Sequence, residues 1–481
     1  MFHDTTTSSI RRLRNEFWKL LPSFCLLIVI IAPPFAGTIS LYRAAMFILI
    51  GHTLVSCILK CPTLSRPLWI ILLWGGGFTF WSLLSAIHGI DPRYSLSRWE
   101  SEHLYGYLFF CAIVLNPCGY SVPLILWGGI LSIGCIALGM EIDWSALDQP
   151  SREFLKNLKL DEVMYRKLYK AAHVGGFSTD ITWLTGHLIF LQWLGLAAVW
   201  TSHWRSARFW GGITAGAAGI WVVMQTFQVA AFLVVYVTSF VFLCLWLLKN
   251  FGKRGVWLTV GMIAIMASGV AYRDFVLHPE KQAFEGISEF VKSGKTENLH
   301  LQSRLNGIRW AVNKCKERPW LGWGPGREIL RKVEPQTFDI NEAQVKDPSR
   351  HPPLGHLHNQ FADLLIRTGI PGLSLYVGFL LAIVVGGIRS SLWKADWLKR
   401  PGAPIQLAAL LCVVFATFRL LAETYPASSI GAQYWMVLGF AALSADAWDG
   451  STLRSFLQSG NAWKLSQNDH QKHSLTASIT R

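Results

Sequence analysis

Apolar runs of near-spanning length recur from Leu20 to Ala445, each close to the ~20 residues an α-helix needs to cross the hydrocarbon layer of a bilayer. About twelve can be counted, at residues 20–36, 39–59, 67–88, 103–117, 122–140, 176–201, 209–226, 228–248, 255–272, 370–388, 403–421 and 427–445. The fourth is short, and the seventh and eighth almost touch. Hydrophobic residues make up 52% of the chain, charged residues 15%, and the mean hydropathy is +0.34. A soluble domain carries about 25% charged residues. The expectation is an all-α integral membrane protein with about 12 transmembrane helices and a large outer loop before the tenth.

Orientation follows from Lys and Arg near span ends, because basic residues in short loops resist translocation. Arg11, Arg12, Arg14 and Lys19 precede the first span and place segment 1–19 in the cytoplasm. Alternation then puts Lys60 and Arg66, Arg205 and Arg208, Lys249, Lys253 and Arg254, and Arg389, Lys394, Lys399 and Arg400 on the same side. Residues 20–272 hold spans one to nine, with an outer loop at 141–175 whose segment 151–172 patterns as an amphipathic helix. Residues 273–357 form the large outer loop, and 358–445 an amphipathic helix and the last three spans. The Ser-, Gln-, Asn- and Lys-rich tail 446–481 returns to the cytoplasm, where its composition predicts disorder. The first apolar run flows directly into another span, without the pattern of a cleavable signal.

The net charge of +15 is met partly by inner loops and the tail facing anionic membrane lipids. Basic residues on the outer side, including Arg152, Lys156, Lys159, Arg166, Lys167, Lys170, Arg304, Arg309 and Arg327, face the other compartment and suit phosphate or pyrophosphate ligands. No soluble module or aromatic-basic repeat points to nucleic acid. Nine cysteines stand singly, mostly in or near spans, without the paired spacing of a zinc or iron-sulfur centre. His356 and His358, two apart, would point in different directions on a helix, and no acidic third ligand is obvious, so no metal is expected.

Three segments of the large loop carry most of the chemistry. They are QSRLNGIRWAV at 302–312, RPWLGWGPG at 318–326, and HLHNQFADLLIRTGIPGL at 356–373, where histidines lead into a helix as the chain turns apolar again. In this order they resemble the O-antigen ligase and polymerase superfamily of multi-spanning glycan transferases. The family shows an Arg before an aliphatic and Trp segment, then a Pro and Gly-rich turn, then His-Asn opening an amphipathic helix that ends in Gly-x-x-Gly-Leu. Segment 85–99, SAIHGIDPRYSLSRW, looks like the family's first outer loop. The resemblance is sharp over about seventy residues.

The resemblance implies an active site facing the periplasm in a bacterial inner membrane. There a glycan is transferred from undecaprenyl pyrophosphate to an acceptor hydroxyl, on lipid A-core or another glycan, with no cofactor or metal because the donor carries the activated bond. Such chemistry needs a base for the hydroxyl and cations for charge developing on the pyrophosphate. His358 matches the family's His before Asn and is the candidate base, with an ordinary pKa of ~6.5 suited to neutral pH. His356 is its backup, and Asn359 orients it or caps the following helix. Arg304 matches the family's Ser-Arg position and is the first candidate for the donor phosphates, since a guanidinium presents planar paired donors. Arg309 and Arg327 are further candidates, although five helical residues separate Arg304 from Arg309 by roughly 140°. Gly322, Gly324 and Gly326 suit either close approach of a substrate or a tight turn capping a helix near Arg327.

The chain departs from the family at one place. Members carry a Ser-Arg-Gly-like turn between the spans matching the seventh and eighth here, whereas residues 224–235 read MQTFQVAAFLVV. A neutral amide cannot replace that charge, so Arg98, Arg419 or the 152–170 loop must supply it, or the donor differs, or the site is impaired. Arg419 lies near the outer end of a span, where Glu423 one turn later is its alternative partner. Among the 23 Trp, Trp69, Trp99 and Trp200 suit interface belts, while Trp320 and Trp323 beside the glycine turn also suit sugar stacking. Moderate length without an added soluble domain favours a ligase over the related polymerase or a protein O-oligosaccharyltransferase. A transporter of an anionic solute or lipid-linked glycan is the reading of a different class. It fits less well because no internal repeat is evident and the candidate residues cluster on one side.

Overall fold

A computed structural model of the chain describes residues 3–31, 39–60, 62–117, 119–141, 181–203, 205–225, 299–326, 328–334, 357, 359–391, 403–420 and 430–445, with isolated positions between 239 and 257. At some helix positions, Arg304 and Arg419 among them, only the backbone is described. Among these residues every regular element is helical. In chain order they are α1 (His3–Ile31), α2 (Ile39–Leu59), α3 (Arg66–Ile87), α4 (Pro92–Trp99), α5 (Tyr105–Leu115), α6 (Val122–Glu141), α7 (Ile181–Thr201), α8 (Ala207–Gln225), α9 (Leu299–Glu317), α10 (Glu328–Val333), α11 (Gln360–Ser391), α12 (Ala403–Leu420) and α13 (Ile430–Ala445). The amphipathic helix expected within 151–172 and the tail after 446 lie outside the described residues, as do most of the eighth and ninth apolar runs.

Three described helices are long and apolar enough to cross a membrane, at Ser40–Leu59, Arg66–Ile87 and Gln360–Arg389. Shorter apolar helical stretches accompany them at Val122–Ala137, Phe190–Thr201, Ile405–Val414 and Tyr434–Ala445. Helix α11 packs on α3 and α13, α13 on α5 and α12, and α7 on α6, α8 and α12, while α1 joins α2 to α6. Phe78, Phe109, Phe110, Phe379 and Phe440 are fully buried where these helices meet, and Phe110 meets Phe379 edge-on at 5.2 Å between ring centres. The opposite faces expose Leu54, Ile58, Leu73, Phe80 and Leu381. Lipid tails suit that exterior; they are as apolar as leucine, so close packing rather than water exclusion holds such helices together.

Helix α1 contains Pro22, which has no N–H for the Trp18 carbonyl four residues earlier. The buried His52 of α2 fills the gap, its Nε2 lying 3.0 Å from that carbonyl and donating to it. The local defect in one helix is thereby repaired by its neighbour.

Two irregularities shape the end of the bundle that bears the candidate residues. Segment 85–99 is mostly helical rather than an open loop, because α3 extends to Ile87 and α4 begins at Pro92. The Asp91 side chain accepts from the Tyr94 amide at 3.1 Å, and Pro92 sits in the first turn, where its missing N–H costs nothing. Helix α4 then runs through a π-helical turn, Glu100–Leu104, into α5. Helix α11 breaks at Gly369, whose φ of 72° and ψ of −175° are non-helical, so Gln360–Thr368 is a short helix set before the longer apolar one.

Candidate functional site

The break at Gly369 leaves the last carbonyls of the Gln360–Thr368 helix without the amides that would continue it. Other elements supply donors. The Trp323 amide donates to the Ile366 carbonyl at 2.9 Å and the Gly324 amide to the Arg367 carbonyl at 3.0 Å. The Trp81 indole donates to the Thr368 carbonyl at 3.0 Å, and the Ser85 hydroxyl lies between the carbonyls of Leu321 and Arg367. The glycine turn of 318–326 therefore docks on the C-terminal end of this short helix. Its Gly326 carbonyl also accepts from the Ile329 amide at the start of α10, at 3.3 Å.

This docking accounts for the glycines. Gly322, Gly324 and Gly326 all have positive φ, at 66°, 105° and 115°. A Cβ at Gly322 would strike the Ile366 and Arg367 backbone, and one at Gly324 would lie 2.6 Å from the Ser95 hydroxyl. At Gly326 it would lie 2.9 Å from Cγ of Arg98 and collide with the Tyr94 ring. Each approach is made by the protein's own atoms. The turn is further tied to the α3–α4 connection by the Ile90 amide donating to the Trp323 carbonyl at 3.0 Å and by Arg318 donating to the His88 carbonyl at 3.3 Å.

Arg98 is brought to this turn. Its guanidinium lies 5.3 Å from the centre of the Tyr94 ring, and the Lys332 ammonium lies 5.9 Å from the same ring. Lys332 also pairs with Asp91, and that contact, helped by the Tyr94 amide, holds the Asp91 carboxyl below its ordinary range. The Arg318 guanidinium covers the Trp323 ring at 4.6 Å, while Trp320 is 70% exposed and open to a ligand.

Beneath this cationic surface lies a buried ionic group. Arg367 pairs with Asp363 at 3.0 Å, one turn earlier on α11, and with Glu102 of the π-helical turn at 3.8 Å. Asp363 is fully buried, and Glu102 and Arg367 nearly so. Burial pushes the Glu102 carboxyl up to about 7, against the opposing pull of Arg367 and Arg98 and with Asp363 adding to the rise. Sequence reading passed over this group. The available signal was charge beside or within an apolar run, with Asp363 and Arg367 spaced i, i+4.

Asn359 is buried and caps the short helix, its Oδ1 accepting from the Ala362 amide at 2.9 Å while its carbonyl accepts from Asp363 at 3.0 Å. Leu357 is also fully buried, in a small core with Ala311, Leu330, Ala362 and Ile366. His358, between these anchored neighbours, and His356 and Arg327 lie outside the described residues. Helix α9 packs along the short helix, and the turn after α9 meets the break after it, where the Ile370 amide donates to the Pro319 carbonyl at 2.8 Å. The two helices therefore run side by side in the same sense, and the start of α9, with the backbone of Arg304, lies toward the Asn359 end. Arg309 is exposed on α9. Arg419 lies near the end of α12, described in backbone alone, and Glu423 and residues 226–235 lie outside the described residues. Among the described residues, no three His, Cys, Asp or Glu side chains gather in a metal-binding group.

Comparison with protein families gives a match at residues 214–377 to the family described as O-Antigen ligase. The matched interval contains all three loop segments singled out above, and it supports the O-antigen ligase and polymerase superfamily for this chain. No curated protein matches the chain.

Proposed function

We propose that this protein is an O-antigen ligase of the bacterial inner membrane, with about twelve spans and a site facing the periplasm. In this reading His358 takes the proton from a lipid A-core hydroxyl, whose oxygen attacks the anomeric carbon of the polysaccharide. The bond from that carbon to the phosphate oxygen breaks, and undecaprenyl pyrophosphate leaves with the bonding pair. Arg304, Arg309, Arg327, Arg98 and Arg419 are the candidates for holding the pyrophosphate, and no metal is required because the leaving group arrives activated. The family match at 214–377 supports a membrane glycan transferase of the O-antigen ligase and polymerase type.

The structural observation that favours the reading is the docking of the glycine turn against α4. It brings Arg98 to the Tyr94 ring that Lys332 also approaches, which gathers charge suited to phosphates, while Trp320 of the same turn is exposed and suits a sugar face. Arg98 is also available to replace the arginine missing from residues 224–235.

The test is His358→Ala in a strain lacking its own copy, with membrane level checked and glycan attachment to lipid A-core read on gels. Loss of the ladder, with full-length glycan accumulating on the carrier, is the expected result. An intact ladder would remove His358 as base and direct attention to His356. Shortened chains on the carrier would favour the polymerase.

A further inference from the structure

The group formed by Glu102, Arg367 and Asp363 places one guanidinium between two carboxylates in a site shielded from water. With both acids ionised the group holds an excess negative charge, which burial penalises unless a further cation compensates. Arg98, from α4, is only half-buried, so solvent weakens its effect. His103, the neighbour of Glu102, is buried against Phe78 and faces the same guanidinium. The balanced state therefore has one carboxyl protonated. Glu102 is that carboxyl, being the more distant from Arg367 and being pushed up to about 7 by burial.

Three features give the group a route to the start of α11. The π-helical turn interrupts regular helix at Glu102, an irregularity that concentrates at functional positions. The Arg367 Nε is buried with no hydrogen-bond partner among the described residues, leaving the guanidinium a spare donor when it shifts between carboxylates. Asp363 is tied by its own amide to the carbonyl of Asn359, whose side chain caps the helix.

We propose that Glu102, Arg367 and Asp363 form a positioning cluster that locks the first turn of α11 while Glu102 is protonated and loosens it when Glu102 ionises. Its consequence for catalysis rests on His358 being the base, because His358 immediately precedes the locked turn. Ionised Glu102 draws Arg367 away from Asp363, and the strain passes through Asp363 to the Asn359 cap. The reaction then has two pH limbs: a rise as the histidine loses its proton and a fall as Glu102 loses its own.

The test uses the full chain in lipid nanodiscs. Amide hydrogen exchange across 359–366 is followed with pH after correction for intrinsic rates, alongside the infrared band of a protonated carboxyl and the transfer rate. In the unaltered protein, exchange should rise about tenfold per pH unit up to a midpoint near 7 and then level off, as the carboxyl band disappears. Glu102→Gln, an isosteric mimic of the protonated acid, should keep the turn protected throughout and abolish the alkaline fall in transfer. Asp363→Asn should move the loss of the carboxyl band to lower pH, because the second carboxylate no longer raises Glu102, and should weaken the protection of the turn, because Arg367 loses the carboxylate that holds it. Corrected exchange that does not change with pH, or a transition that persists in Glu102→Gln, would overturn the proposal. If the exchange transition behaves as stated but His358→Ala still transfers glycan, the cluster stands and the assignment of the base falls.

Discussion

The Ile370 amide donates to the Pro319 carbonyl at 2.8 Å, which joins the break in α11 to the turn that follows α9. Gly369 makes this possible. Its φ of 72° and ψ of −175° lie in a region open to glycine alone, and a Cβ there would strike the Pro319 and Trp320 carbonyls.

Gly369→Ala should therefore destabilise the docked turn by about 3 kcal/mol or more, combining backbone strain with a backbone collision. The check is thermal unfolding in detergent together with proteolysis of the 318–326 segment. Unchanged melting and unchanged cleavage would show that the break tolerates a side chain.

Ser85 offers a smaller test of the same junction. Its hydroxyl has one hydrogen for the Leu321 and Arg367 carbonyls, so Ser85→Ala removes one hydrogen bond and leaves a buried acceptor short. A loss of about 1 to 3 kcal/mol is expected. Ser85→Thr keeps the donor and should lose less, although its added methyl enters a packed site.

Much of this architecture was legible in the chain, and the reasons differ by residue. The three long apolar helices stood out because a span is written in a continuous run, and the helix opening after Asn359 stood out because an Asn before a periodic segment is a cap. The role of the glycine turn was only half legible. Gly322, Gly324 and Gly326 announced an unusual backbone, but not that the Trp323 and Gly324 amides would cap a helix some forty residues later. Segment 85–99 resembles the family's first outer loop, yet Pro92 stands in a first turn, where proline suits the start of a helix. The Glu102–Arg367 pairing joins residues far apart in sequence, and no local pattern encodes such a contact.

Asn359 separates structural from chemical roles. Asn359→Ala removes the acceptor for the Ala362 amide and should cost about 1 kcal/mol of stability, whereas Asn359→Asp retains it. If Asn359 also orients His358, transfer should fall in both variants by more than stability explains. If capping is its whole contribution, Asn359→Asp should match the unaltered protein in both readouts.

Asp91 is expected to matter more than its ion pair. Asp91→Ala loses both the cap of α4 and the ion pair, whereas Lys332→Ala loses only a partly exposed pair, so Asp91→Ala should lower the melting temperature more. The Asp91 carboxyl is held low by Lys332 first and the Tyr94 amide second. Its contribution is therefore present above its unfolded titration range and is lost as pH falls through the depressed folded value. Melting measured from neutral to acid pH should show that loss in the unaltered protein and a weaker one in Asp91→Asn.

The repair of α1 by α2 gives a prediction with a built-in control. His52→Leu leaves the Trp18 carbonyl without a donor in a helix whose own Pro22 cannot provide one, and should cost about 1 to 3 kcal/mol. Pro22→Ala restores an amide at the position from which helix geometry supplies that donor. The double variant should then recover most of the loss, even though each residue was removed separately from a packed site. Melting temperatures of the two single variants and the double one complete the cycle. Additive losses would mean that His52 acts through packing against Trp18, whose ring centre lies 4.3 Å from its own, rather than through the carbonyl.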